Sequence, residues 1–258
     1  MDPEAEDDAI NHLPTATSPE PHRRSICSNC HRPNPVCLCH ALPAQPIQTT
    51  TRVLILHHPH EAQHKLSTTP LLTKSLLHAT AITGRRLRRG LSPLLDQSPP
   101  AIFLFPGTSS SPAVNISDLR ASELLTRSCN NEGLVLIAFD ATWKHAREMV
   151  KASEEFLSKF AIRVCLGVDE KSSGGSIYDS ELILRKEPFS GCVSTMEAVA
   201  RVLRVLEPNG VEIEGRLIGI LREMVKLQAG FLKPVKTRPK LMKKKLMEEE
   251  KSESSDKG

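Results

Sequence analysis

Aromatic side chains are scarce in this chain: its 258 residues include seven Phe, one Tyr and one Trp, 3% in all. That scarcity excludes an RNA-recognition surface of the kind that spreads several aromatic rings across one sheet. Long apolar runs are missing too, and none approaches the roughly 20 residues that a bilayer-spanning helix needs. Residues 2–8 read Asp-Pro-Glu-Ala-Glu-Asp-Asp, which is no basic and then apolar secretory leader. The expectation is a soluble, intracellular protein with no membrane partner. Internal repeats are absent, and 39% apolar content over this length suits one α/β domain with appendages rather than two large domains.

Positive charge is plentiful once the ends are set aside. Residues 1–25 carry six acids and two bases, and residues 248–258 carry five acids and two bases. Residues 26–247 therefore hold 30 Lys/Arg against 19 Asp/Glu, a net +11 beneath a formal total of +4. A core this basic suits a polyanionic partner, as would a merely solvated basic face. Residues 1–25 are expected to form a disordered acidic tail, and residues 248–258 are similar, since neither can bury enough apolar surface to order itself; residues 233–258 together are read as a charged C-terminal tail. Dense basic runs occur at Arg85, Arg86, Arg88 and Arg89 and at residues 240–245. The second also reads as a nuclear localisation signal, so the expected location is cytoplasmic, nuclear or both.

Between the tails, strand-like and helical patterns alternate. Strands are predicted at 52–57, 101–105, 134–139, 162–166 and 181–185, and helices at 71–83, 117–127, 144–160, 195–206 and 212–226. Strands separated by helices imply βαβ units, hence an α/β fold with a mainly parallel sheet and flanking helices.

Four of the seven cysteines crowd into thirteen residues as Cys27-x2-Cys30-x6-Cys37-x-Cys39. In a reducing compartment such a cluster is better explained by tetrahedral thiolate zinc than by disulfides, which predicts a zinc knuckle over residues 26–45. The Cys-x-Cys half is tight, so His31 or His40 stands as an alternative ligand. A four-thiolate site is closed, and its zinc is expected to be structural. Cys129, Cys165 and Cys192 are isolated and read as small core or loop residues.

The apolar run 134–139 ends in Asp140-Ala141-Thr142-Trp143, after which the pattern turns helical. In open α/β sheets ligands bind beyond the carboxyl ends of the strands, so an acid, a hydroxyl and the only Trp arrive together where a site is expected. Asp140 or Thr142 as a plain helix cap, with Trp143 as packing, is the competing reading. A second strand runs into His57-His58-Pro59-His60-Glu61. His60-Glu61-Ala62-Gln63-His64 matches H-E-x-x-H, but that zinc motif works only inside a helix, and Pro59 with a strand comes immediately before it. Phe105-Pro106-Gly107 ends another strand in a turn that lets backbone approach a ligand or is only a turn. Ser194-Thr195-Met196-Glu197 has capping-box spacing, and its free amides suit either a carboxylate ligand or a cap alone.

In order, Cys-x2-Cys…Cys-x-Cys, Leu56-His57-His58-Pro59-His60-Glu61 with Ser67-Thr68-Thr69, Leu104-Phe105-Pro106-Gly107, Asp140-x-Thr142-Trp143, Leu184-Arg185 and Ser194-Thr195-x-Glu197-Ala198 resemble the DTW-domain family. The likeness is greatest to its eukaryotic tRNA-uridine aminocarboxypropyltransferases and covers about residues 27–232, so that 46–232 would be the catalytic domain. The resemblance implies a fold related to the SPOUT RNA methyltransferases, with a knot near the C-terminus. It also implies transfer of the 3-amino-3-carboxypropyl group from S-adenosylmethionine to N3 of a tRNA uridine, releasing methylthioadenosine. It assigns Asp140, Thr142 and Trp143 to catalysis. Phe105, Pro106, Gly107, Leu166, Arg185, Ser194, Thr195 and Glu197 would hold the donor. Toward tRNA it implies His58, Glu61, Arg85, Arg86, Arg88, Arg89, Lys144 and Arg147. Two other readings stay open on sequence: an RNA methyltransferase using the same donor, and a zinc-containing RNA-binding module without activity. The Asp-x-Thr-Trp strand end argues against the last, because a binder gains nothing from a carboxylate beside phosphates.

Overall fold

The computed structural model describes residues 25–61, 64, 66–121, 133–167 and 193–231. The predicted strand at 181–185, part of the predicted helix at 117–127, the tails apart from Ser25, and Cys129, Arg185 and Cys192 lie outside the described residues. Among the described residues six strands build one sheet: β1 (Arg52–His57), β2 (Ala79–Thr83), β3 (Ala101–Leu104), β4 (Val114–Asn115), β5 (Val135–Asp140) and β6 (Ala161–Cys165). Their order is β2-β1-β5-β3-β6-β4, and every pairing is parallel. The helices are α1 (Thr69–Ser75), α2 (Pro93–Asp96), α3 (Trp143–Leu157), α4 (Thr195–Leu206) and α5 (Gly210–Ala229).

β1 and β5 are the strands most fully covered, and their sequences say why. Val53–Leu56 and Val135–Ala138 are no more than 2% exposed, as unbroken β-branched and aliphatic runs must be when both faces are packed. Val53, Ile55, Leu136 and Ala138 face a layer containing α1, α4 and α5. Leu54, Leu56, Val135, Ile137 and Phe139 face the opposite layer, where α3 lays down Ala146, Met149, Val150 and Leu157.

The helix predicted over 71–83 is corrected by the structure. α1 stops at Ser75, Leu76 is extended (φ −113°, ψ 132°), and Ala79–Thr83 pairs in register with Val53–His57. The leucines at 71, 72 and 76 carry a helical spacing that breaks off where Thr80, Ile82 and Thr83, β-branched and suited to a sheet edge, begin. Within the predicted helix at 117–127 the structure shows a 3-10 helix, Ile116–Ala121. α2 and the two-residue β4 carried no readable pattern.

Two contacts close the α4 end of the fold. Buried Glu207 accepts the backbone N–H of Thr50 (2.9 Å) and of Thr51 (2.8 Å) and the Thr50 hydroxyl (3.0 Å), tying the entry of β1 to the exit of α4. The next corner requires glycine at 210, because a Cβ there would sit 2.3 Å from the Arg204 carbonyl oxygen.

Candidate active site

The chain leaves β1 through α1 toward β2 on one side and leaves β5 through α3 toward β6 on the other. The neighbouring carboxyl ends of these two strands are therefore a topological switch point, where an open α/β sheet forms a crevice. The last register pair there is His57 with Asp140.

Asp140 is held from two sides. Thr69 Oγ1 donates to Oδ2 at 2.5 Å and Thr195 Oγ1 donates to Oδ1 at 2.7 Å. Each threonine is the first residue of its helix, α1 or α4, so one carboxylate joins three chain segments. A carboxylate oxygen has two acceptor sites, and each oxygen of Asp140 keeps one for a further partner. His57 Nε2 lies 3.5 Å from Oδ2, buried and without a hydrogen bond among the described residues, so the pair faces without closing.

Thr142 caps α3 as the structural reading of the motif expects: its hydroxyl accepts the His145 amide at 3.4 Å and lies 3.1 Å from His145 Nδ1. Trp143, half-buried, meets the ring of Phe105 at 6.1 Å and 45°. Phe105 and Leu166 follow β3 and β6, which places both at the same carboxyl edge as Asp140. Pro106 is exposed, and the missing Cβ of Gly107 makes room for the Ala113 amide, which would lie 2.7 Å from it. Ser194 caps α4 through the Glu197 amide (3.2 Å). The Glu197 carboxylate, 1% exposed, pairs with Arg201 at 2.6 Å.

Residues 58–61 turn immediately after β1, so His60 and Glu61 are not in a helix. His60 instead joins His58 and His145: their ring nitrogens lie within 4.8 Å of one another. Burial, helped by His145, His60 and Arg85, holds His58 below the usual imidazole value. Arg85, Arg86, Arg88 and Arg89 are exposed around Leu87, which is 1% exposed and donates its amide to Ser153 Oγ of α3 at 2.8 Å. Ser153 in turn donates to the Met149 carbonyl at 2.6 Å. Lys144 and Arg147 are exposed on the first turns of α3.

A family model described as the DTW domain matches residues 24–229. The chain belongs to the DTW-domain family. It is 57% identical over 244 residues to tRNA-uridine aminocarboxypropyltransferase A of Arabidopsis thaliana, covering 91% of this chain and 92% of that protein. It is 30% identical over 231 residues to tRNA-uridine aminocarboxypropyltransferase 2 of Drosophila melanogaster (86% and 82%). The same-named protein of Macaca fascicularis is 31% identical over 211 residues (80% and 64%). No solved structure matches.

The DTW chain gathers four of its seven cysteines, Cys27, Cys30, Cys37 and Cys39, in one cluster. Cys27 and Cys39 lie 3.5 Å apart and Cys30 and Cys37 3.6 Å, close to the about 3.8 Å edge of a zinc–thiolate tetrahedron with 2.3 Å bonds. The Cys30 and Asn29 amides bring the Cys27 thiol down to about 6. Hydrogen bonding of the Cys39 S–H to the sulfurs of Cys27 and Cys37 holds its proton and pushes that thiol up to about 12. A dication would take the place of the shared protons, so the donor set fits zinc. His31 and His40 stay out of the cluster; His40 turns to Glu223 of α5 at 3.3 Å. Leu38, fully buried, roots the knuckle in the core.

The carboxyl edge thus gathers Asp140, Thr142, Trp143, Phe105, His58, Ser194 and Thr195; the sequence motifs included His57 and Thr69 without giving either a role beside Asp140, and His145 was missed. A hydroxyl at the first position of a helix that follows a strand was the available signal for Thr69. For His145 the signal was its place in the first turn after Asp-x-Thr-Trp.

Proposed function

We propose that this DTW protein transfers the 3-amino-3-carboxypropyl group of S-adenosylmethionine to N3 of a tRNA uridine. The observation that carries the reading is Asp140, pinned by two helix-start hydroxyls at the switch point of the sheet yet keeping acceptor capacity on both oxygens. The donor supplies a carbon already activated by its sulfonium. What the protein must supply is alignment of N3 with that carbon and a place for the N3 proton. Asp140 orients N3–H and takes the proton as the N–C bond forms and the C–S bond breaks, the sulfur pair leaving with methylthioadenosine. Trp143 and Phe105 form an apolar wall that excludes water, and Thr142 fixes the start of α3 beneath it. Residues 105–107, Leu166 and the start of α4 at Ser194 hold the donor, while Glu197 braces that helix through Arg201. Arg85, Arg86, Arg88, Arg89, Lys144 and Arg147 grip phosphates, and the target uridine must be unpaired or flipped to reach Asp140. Relation to the SPOUT enzymes and a C-terminal knot belong to the same proposal, as does a structural zinc held by the four cysteines.

Product analysis tests the reading. Incubated with unmodified tRNA and S-adenosylmethionine, the protein should yield methylthioadenosine and a uridine enlarged by the aminocarboxypropyl group. S-adenosylhomocysteine with a methylated nucleoside would overturn the reading in favour of methyl transfer.

A further inference from the structure

The three histidines beside Asp140 have a geometry of their own. His58 and His145 are stacked, with centroids 4.2 Å apart and planes 9° from parallel. His60 stands edge-on to both, at 82° and 74°. A metal ion is a poor occupant. Its ligand nitrogens must converge to about 3.4 Å from one another for bonds of ~2.1 Å. Rings so nearly parallel hold their lone pairs in separate planes, and His58 Nδ1 already lies 3.2 Å from the His60 amide. Stacking, by contrast, uses the arrangement as it stands. His58 is 3% exposed and closes one end, whereas His145 is half-buried and keeps part of its surface open to solvent, with exposed His60 along its side.

We propose that the His58–His145 stack, edged by His60, is a binding platform for an unpaired pyrimidine base of the RNA substrate, which adds a third ring on His145. The inference rests on the proposed uridine chemistry and deepens it by naming what holds the base. Its position supports it: His58 follows β1, its amide donates to the Asp140 carbonyl at 2.9 Å, and His145 lies in the turn that begins at Trp143. A base stacked there lies over the same strand ends as Asp140. In a chain with so few aromatic residues, imidazoles supply the flat surface that recognition of an unstacked base requires.

Steady-state kinetics with tRNA tests the platform through His145→Ala and His145→Phe. Alanine removes the outer ring and should raise KM for tRNA roughly tenfold, with KM for S-adenosylmethionine unchanged. Phenylalanine keeps a ring but no nitrogen, and should recover most of that loss. Equal impairment of both variants, or an unchanged KM in the alanine variant, would overturn the platform. So would a zinc content of two per chain that falls to one in both variants. Should the wild type modify no uridine, the functional reading fails separately. The same proteins are then compared in binding to single-stranded oligouridylate, where weaker binding by the alanine variant alone sustains the platform and equal affinities overturn it.

Discussion

Asp140→Asn separates chemistry from architecture at this site. The wild-type carboxylate receives one hydroxyl on each oxygen, Thr69 at 2.5 Å and Thr195 at 2.7 Å. Asparagine keeps the shape and one acceptor oxygen and presents a donor at the other end, and a threonine hydroxyl can reverse from donor to acceptor. The structural loss is then only the charge-assisted share of two hydrogen bonds, about 1–2 kcal/mol, against the ~5–15 kcal/mol that holds a domain together. Asp140→Ala strands both hydroxyls and costs about 3–5 kcal/mol, enough to confuse unfolding with inactivity. The chemical loss with asparagine is far larger than the structural one. An amide takes no proton from N3, and losing a positioned base costs on the order of 10²–10⁴ in rate. The assay follows turnover at saturating donor and tRNA, beside a urea midpoint and tRNA affinity. The expected result is a rate down at least about a hundredfold, a midpoint moved by only ~1–2 kcal/mol equivalent, and tRNA bound as well as before. Thr69→Val and Thr195→Val complete the cycle: each should slow the wild type but add little to Asp140→Asn, because they act through the same carboxylate. Turnover by Asp140→Asn within about threefold of wild type would remove Asp140 from the mechanism.

Purified protein should contain one zinc per chain, lost in Cys27→Ser/Cys39→Ser, with the knuckle unfolding rather than the chemistry stopping directly; metal-free protein with an intact fold would refute the assignment. Since zinc must displace thiol protons, its affinity should fall as pH falls. Replacing Arg85 and Arg86 by Gln should weaken tRNA binding without changing the product, and should lower the slope of log affinity against log salt by about one per arginine that contacts a phosphate. An unchanged slope would show that this loop does not touch the RNA.

The parallel α/β class of the sheet was legible because β1 and β5 are buried on both faces and spell it in uninterrupted apolar letters. The thiol cluster and the Ser194 cap were legible because their partners are near in sequence. Ala79–Thr83 was misread because an edge strand alternates between water and protein unevenly, and its pairing with β1 outweighs the helical spacing of the preceding leucines. Thr69 was invisible as a partner of Asp140, since 71 residues separate them and no local period encodes a contact made only when the sheet closes. The cap reading of Asp140-Ala141-Thr142-Trp143 holds for Thr142 and not for Asp140. Thr142 caps its helix, while Asp140 faces the crevice and leaves capping to its neighbour.

Leu87 makes the basic loop part of α3 rather than an independent arm. Its amide is fastened to Ser153, ten residues along the helix from Trp143, which is about 15 Å of helical rise at 1.5 Å per residue. The helix therefore works as a ruler with the reacting edge at one end and the fastening of the cationic loop near the other. If the proposed RNA contact of that loop holds, a gripped strand would be measured off against a fixed distance, and only a nucleotide at the matching spacing would fall over Asp140. Lengthening or shortening the loop would leave the gauge intact, whereas inserting a turn into α3 would shift which nucleotide is presented.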